Sequence, residues 1–136
     1  MYEFFDHTAD LGIRVQTARL EDIYAEAAEA LFAVLTDEPE TIRPRESRRY
    51  QIPGQDRPLL LFDWLRALLL AFETEGWLLH HADVSIGDDG LTATAWGEPF
   101  DPDRHPLCHE VKAITYHGLR VEREGNGWLA EVIVDI

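Results

Sequence analysis

The chain has 136 residues, room for one domain with a proper core, and its 46% hydrophobic and 28% charged content is ordinary for a globular protein. A net charge of −14, from 26 acidic and 12 basic residues, argues against direct high-affinity binding of nucleic acid, which draws on basic groups that release counterions. No run approaches the roughly 18 apolar residues a membrane span requires. No secretory leader is visible at the start, and a single cysteine, Cys108, excludes an intrachain disulfide, so a reducing cytoplasm fits.

In chain order, residues 2–7 read as a first strand with Phe4 pointing inward. Leu11, Ile13 and Val15 alternate along a second, half-buried strand over 11–17, with Thr8-Ala9-Asp10 as a tight turn between the two. From Leu20 to Leu35 the apolar residues recur at helical spacing, and Glu21 and Asp22 suit the positive end of that helix. Pro39 and Pro44 mark 36–46 as loop, and 47–52 reads as a short strand closed by Pro53-Gly54. A second helix spans 57–75, with Pro58 in its first turn and Gly76 as its stop. It is apolar nearly all round, which predicts burial on more than one side, across a sheet and beside the first helix. A hairpin over 77–86 and 91–97 turns at Gly87-Asp88-Asp89-Gly90. Residues 98–109, with Pro99, Pro102 and Pro106, read as loop. A last hairpin, 111–123 and 127–136, turns at Glu124-Gly125-Asn126-Gly127. This order predicts an α+β fold: a mostly antiparallel β-sheet with two α-helices packed on one face. The 47–52 strand and the 77–97 hairpin belong either to that sheet or to a small inserted subsheet beside it.

Three segments are candidates for chemistry: Asp6-His7-Thr8-Ala9-Asp10, the run from Glu110 to His117, and Val134-Asp135-Ile136. Asp135 stands immediately before the last residue, Ile136, so a side-chain carboxylate and an α-carboxylate lie one residue apart at a strand end. With Asp10 nearby, three anionic oxygen groups converge, and oxygen-only donors favour Ca²⁺, Mg²⁺ or Mn²⁺ over Zn²⁺. A lone Asp in a turn usually bonds its own backbone, so the weight rests on the three together. His7, His105, His109 and His117 match no compact zinc spacing. His7 and His117 read as structural hydrogen-bonding groups near the first motif, or as partner-facing. Glu98, Asp101, His105 and Glu110 read either as an ordinary solvated loop or, the reading preferred by a small margin, as an acidic rim around the cation. Lys112, the only lysine, is either a surface residue pairing with Glu110 or Asp10, or a charge that offsets the acidic cluster or touches a phosphate. Trp64 reads as core, and Trp77, Trp96 and Trp128 as packing residues of strands. No Gly-rich phosphate loop or nucleophile elbow is present, so intrinsic catalysis is not expected.

Asp-His-Thr-Ala-Asp-Leu-Gly at 6–12, Phe-Asp-Trp-Leu at 62–65, Gly-Glu-Pro-Phe-Asp at 97–101, Glu-Val-Lys-Ala-Ile-Thr-Tyr-His at 110–117 and the final Val-Asp-Ile, in this order, resemble the archease family over the full length. The resemblance implies one archease-like domain over 1–136. It further implies a non-catalytic cofactor of an RtcB-type RNA ligase, the enzyme that joins a 2′,3′-cyclic phosphate or 3′-phosphate end to a 5′-hydroxyl using GTP and Mn²⁺. Such a cofactor speeds ligase guanylylation and permits multiple turnover in tRNA splicing and RNA repair. A divalent cation, Ca²⁺ in the isolated protein or else Mn²⁺ or Mg²⁺, is expected on Asp10, Asp135 and Ile136 through its terminal carboxylate. The polar positions of 98–109 do not all match a family role. From a different class comes a chaperone-like protein-binding module, with the small subsheet as its contact surface and an exposed apolar patch. A small metal-dependent hydrolase is a third reading, which would turn over without a partner.

Overall fold

The structure, a computed structural model, describes residues 1–7 and 10–136, with the backbone alone at His7. Its elements are β1 (Tyr2–His7), β2 (Asp10–Thr17), α1 (Leu20–Leu35), β3 (Glu46–Pro53), α2 (Arg57–Glu75), β4 (Trp77–Gly87), β5 (Gly90–Pro99), β6 (Ala113–Ile114), β7 (Arg120–Glu124) and β8 (Gly127–Asp135). They form two antiparallel sheets. One has five strands in the order β1-β2-β8-β6, with β7 also on β8; the other has three, in the order β3-β5-β4. The α+β class therefore holds, and the strands left open between one sheet and two belong to a separate small sheet.

Both helices touch both sheets: α1 packs on β2 and β8 of the larger and β4 of the smaller, and α2 reaches β6 and β7 as well as β3 and β4. Two helices against a mostly antiparallel sheet are as expected, and the small sheet adds a second packing surface for them. The second helix is buried on more than one side, as expected, and the first is enclosed at least as fully. Ala27, Ala28, Ala30 and Leu31 of α1 are fully buried, whereas α2 leaves Leu59 45% and Leu70 57% exposed. The three alanines make α1 look only half apolar, yet small side chains let a helix be enclosed on two sides. Local signals place the ends of α2 as read: Asp56 accepts the Leu59 N–H at 3.1 Å, Pro58 sits in the first turn, and Gly76 at φ 67° closes the helix. The helices are tied by two hydrogen bonds, Trp64 Nε1 donating to the Tyr24 carbonyl at 2.9 Å and the Tyr24 hydroxyl to the Arg57 carbonyl at 3.0 Å.

Phe4, expected inward, is 41% exposed because β1 is the edge of its sheet. The single strand read over 111–123 is broken. Thr115 gives both its N–H, at 3.0 Å, and its hydroxyl, at 2.9 Å, to the Ile133 carbonyl, and Gly118 at φ 61° then turns the chain before β7 begins.

The loop read from 98 onward starts with a buried charge. Glu98 lies at the end of β5 and is 0% exposed. Its Oε2 accepts the Arg43 N–H at 2.7 Å and meets His105 Nε2 at 2.9 Å, while Oε1 accepts from the Arg104 guanidinium at 2.5 Å. Because His105 Nδ1 accepts the Asp101 N–H at 2.8 Å, the ring proton sits on Nε2 and is donated to Glu98. Glu98 and His105 are thus a satisfied buried knot; neither a solvated loop nor an acidic rim describes them. Burial alone would raise the Glu98 carboxyl, but the hydrogen bonds from Arg104, Arg43 and His105 outweigh it and bring its pKa from 4.5 to about 2. A carboxyl with a lowered folded-state pKa contributes stability above its unfolded value and loses it as pH falls. The unfolding free energy of the native protein should therefore exceed that of Glu98→Gln by on the order of 3 kcal/mol near neutrality. The gap should shrink as pH drops from 4.5 towards about 2, read by urea titration at each pH.

Candidate metal centre

One register row crosses the five-stranded sheet: His7 opposite Asp10, Asp10 opposite Asp135, and Asp135 opposite Ala113. Directly opposed residues carry their side chains on one face of a sheet. The following row, Leu11 opposite Val134, packs towards the core, with Val134 0% exposed, so Asp10 and Asp135 share the outer face. Lys112 N–H donates to the Asp135 carbonyl at 2.7 Å. The first motif, the 110–117 run and the final segment, far apart in sequence, thus meet along one sheet edge. Ile136 follows Asp135, half-buried against the core.

The neighbouring rows of this face are differently furnished. Phe5 and Ile133 flank Gly12, and beyond them Arg14 and Arg120 neutralise Glu3 and Glu131: Arg14 Nε reaches Glu131 at 2.7 Å, Arg14 reaches Glu3 at 2.8 Å and Arg120 Nε reaches Glu131 at 2.8 Å. Against its partial burial, these two arginines hold the Glu131 carboxyl below its ordinary value. In the candidate row two carboxylates, Asp10 and Asp135, stand directly opposite each other. Like charges directly opposite are unfavourable by up to about 1 kcal/mol, and a cation between carboxylates relieves that repulsion. The donor chemistry therefore fits a hard divalent ion. Among the described residues no group of three His, Cys, Asp or Glu side chains is gathered to hold a metal. An ion here would take a third oxygen from the main chain, which is the place Ile136 occupies in the expected set.

The other candidates separate. His7 beyond its backbone, Thr8 and Ala9, and with them the expected tight turn, lie outside the described residues. His105 belongs to the Glu98 knot, His109 and Glu110 are exposed, and His117 donates its N–H to Thr115 Oγ1 at 3.3 Å. Lys112 is exposed and lines, with Arg66 and Ile114, a groove between α2 and β6. Trp64 and Trp77 are fully buried, Trp96 stacks on His81, and Trp128 carries Arg57 and Arg123 over its ring, all packing roles. Tyr116, stacked on Phe62 at 4.0 Å, and the Arg14–Glu131–Arg120 network went unread, since neither pairing leaves a local pattern.

Gly12 separates the candidate row from the arginine row, and the Phe5 ring covers it: a Cβ at Gly12 would lie 2.3 Å from that ring. Gly12→Val should displace Phe5 and lower stability by about 1–3 kcal/mol in urea unfolding. Gly87→Ala, with nothing within 4 Å of its added carbon, should unfold within about 0.5 kcal/mol of the native protein.

Residues 2–136 match the Archease protein family (MTH1598/TM1083). The archease of Sulfurisphaera tokodaii is 40% identical over 137 residues, spanning 99% of this chain and 98% of its own. That of Methanopyrus kandleri is 41% identical and spans 99% of each. A solution structure of Methanobacterium thermoautotrophicum protein 1598 superposes with a TM-score of 0.82 at 38% identity, over 99% of this chain and 98% of that one. An archease from Thermotoga maritima, described as a possible chaperone, shares the fold with a TM-score of 0.67 at 22% identity, over 100% of this chain and 98% of its own. With relatives of this similarity over almost its whole length, the chain belongs to the archease family.

Proposed function

We propose that this protein is a non-catalytic activator of an RtcB-type RNA ligase and works through a divalent-cation site formed by Asp10, Asp135 and the Ile136 carboxylate. The observation that carries the reading is the direct opposition of Asp10 and Asp135, with the 110–117 run bonded alongside at Asp135. Asp10 and Asp135 bind and orient the ion on the outer face of the sheet, and Lys112 keeps a positive charge within the same segment. When bound, Ca²⁺, Mn²⁺ or Mg²⁺ supplies a concentrated positive charge and exchangeable coordination positions. The acidic surface around the site docks beside the ligase's active centre and helps that enzyme reach or recover its metal- and GTP-bound state, in tRNA splicing and RNA repair. A cytoplasmic setting accords with this role.

Two measurements test the proposal separately. In calorimetric titration with CaCl₂ or MnCl₂, the native protein should give a saturable signal, which Asp10→Asn and Asp135→Asn should weaken at least about tenfold; equal responses from all three would remove the metal site. Added to an RtcB-type ligase with GTP, MnCl₂ and an RNA carrying a 2′,3′-cyclic phosphate, the protein should accelerate guanylylation and raise turnovers per ligase. Asp135→Asn should lose most of that acceleration, on the order of tenfold or more. Unchanged ligase turnover with the native protein counts against the assignment.

A second reading draws on the exposure of Leu59 and Leu70 on α2: a chaperone-like module that holds unrelated clients. It predicts suppression of client aggregation that is indifferent to Asp10→Asn and Asp135→Asn, measured by light scattering of a heated client.

A further inference from the structure

The three-stranded sheet ends at β3. Among the described residues this strand pairs with β5 alone, and its other side borders α2. An open groove of about 390 Å³ runs there, lined by Arg49 and Tyr50 of the strand and by Ala67, Leu70 and Ala71 of the helix. Leu70 is 57% exposed, the most open large apolar residue on either helix. An unpaired strand edge beside an uncovered leucine offers main-chain hydrogen bonds and an apolar contact together.

The charge on this edge runs against that of the chain. Arg43, Arg45, Arg48 and Arg49 fall within seven residues of a sequence with net charge −14. Two of them are committed. Arg48 binds Glu75 through both nitrogens at 3.0 and 3.1 Å and lies over Trp77, and Arg45 stands 3.7 Å from Glu98. Arg49 is exposed and has no ion pair among the described residues. Alternation sends Arg48, Tyr50 and Ile52 to the α2 side, where Tyr50 meets Trp64 at 5.4 Å, and Ser47, Arg49 and Gln51 to the opposite side.

We propose that the free edge of β3 receives an extended segment of another protein, one that alternates acidic and apolar residues, as a fourth strand of the small sheet. Residues of the added strand share a face with those they oppose. Its apolar side chains fall on the Tyr50 side and cover Leu70, and its acidic side chains fall beside Arg49. Arg49, the strand's arginine without an ion pair among the described residues, is complemented by an acidic strand and not by a second β3, which would bring another Arg49. This inference is independent of the cation site, which lies on the other sheet.

The probe is a fluorescein-labelled peptide of alternating valine and glutamate, followed by anisotropy against the full chain. It should bind saturably, and Arg49→Glu and Leu70→Glu should each weaken it at least about tenfold. Arg49→Ala serves as a milder variant should either charge substitution disturb folding by circular dichroism. The same peptide with lysine in place of glutamate, or with alternate backbone nitrogens methylated, should not bind. Equal binding of the lysine peptide, indifference to methylation, or no binding of the glutamate peptide at millimolar concentration would overturn the proposal. So would a concentration-dependent dimer that Leu70→Glu dissolves, which would assign the edge to a second copy of this chain.

Discussion

Strand β8 pairs with β2 on one side and with β6 and β7 on the other, so the larger sheet exists only through it. Its alternation is strict where it matters: Val132 and Val134 are buried in the core, and Glu131 and Asp135 face outward with Arg14 and Asp10. A slip of one residue would exchange these faces, putting Asp135 into the core and Val134 in water. The register that places Asp135 opposite Asp10 is therefore enforced by apolar burial. Any cation site formed there inherits its geometry from the core, without a dedicated scaffold of its own.

The second structural demand is to bring the 110–117 run to the same edge. Three anchors along 98–108 do this. Glu98, Arg104 and His105 hold the start of the loop against Arg43. Further on, Thr36 bridges Leu107 and the Cys108 N–H donates to the Leu35 carbonyl at 2.8 Å, tying the loop to the end of α1. The chain is then delivered to β8, where Lys112 and Thr115 donate to the Asp135 and Ile133 carbonyls and Ala113 pairs with Asp135. A buried carboxylate with its hydrogen bonds satisfied thus acts at a distance from the acidic pair, by positioning the segment beside it.

Much of this was legible in the residues. Helical periodicity bounded α1 at Leu20 and Leu35, and Pro58 and Gly76 bounded α2, because caps and breakers act within a turn. The hairpin turns followed from Gly87 to Gly90 and Glu124 to Gly127 for the same reason. What escaped was set by partners distant in sequence. Which sheet took β3 depends on β5, some forty residues on; how fully each helix is enclosed depends on two sheets as well as on its own hydrophobicity; and Phe4, opposite buried Ile13, stays 41% exposed because β1 is an edge that only the strand order reveals. Glu98 and His105 look like any polar loop residues until Arg43 and Arg104 close around them. The proximity of Asp10 to Asp135 was anticipated from motif order and from their positions at strand ends, and the backbone pairing brings those two residues together. The choice of ion rests on oxygen-donor chemistry.

The order of strands has a consequence for biosynthesis. During translation β2 leaves the ribosome early, yet its inner neighbour β8 is the last strand of the domain to appear. The nascent chain must keep that edge of β2 apart from other polypeptides throughout, and the contacts that finally cover it span nearly the whole sequence, a topology that closes slowly. The small sheet with α2 has all its strands available sooner. The acidic pair consequently forms only once β8 has been made: a chain stopped short of that strand carries Asp10 with no Asp135 to face it.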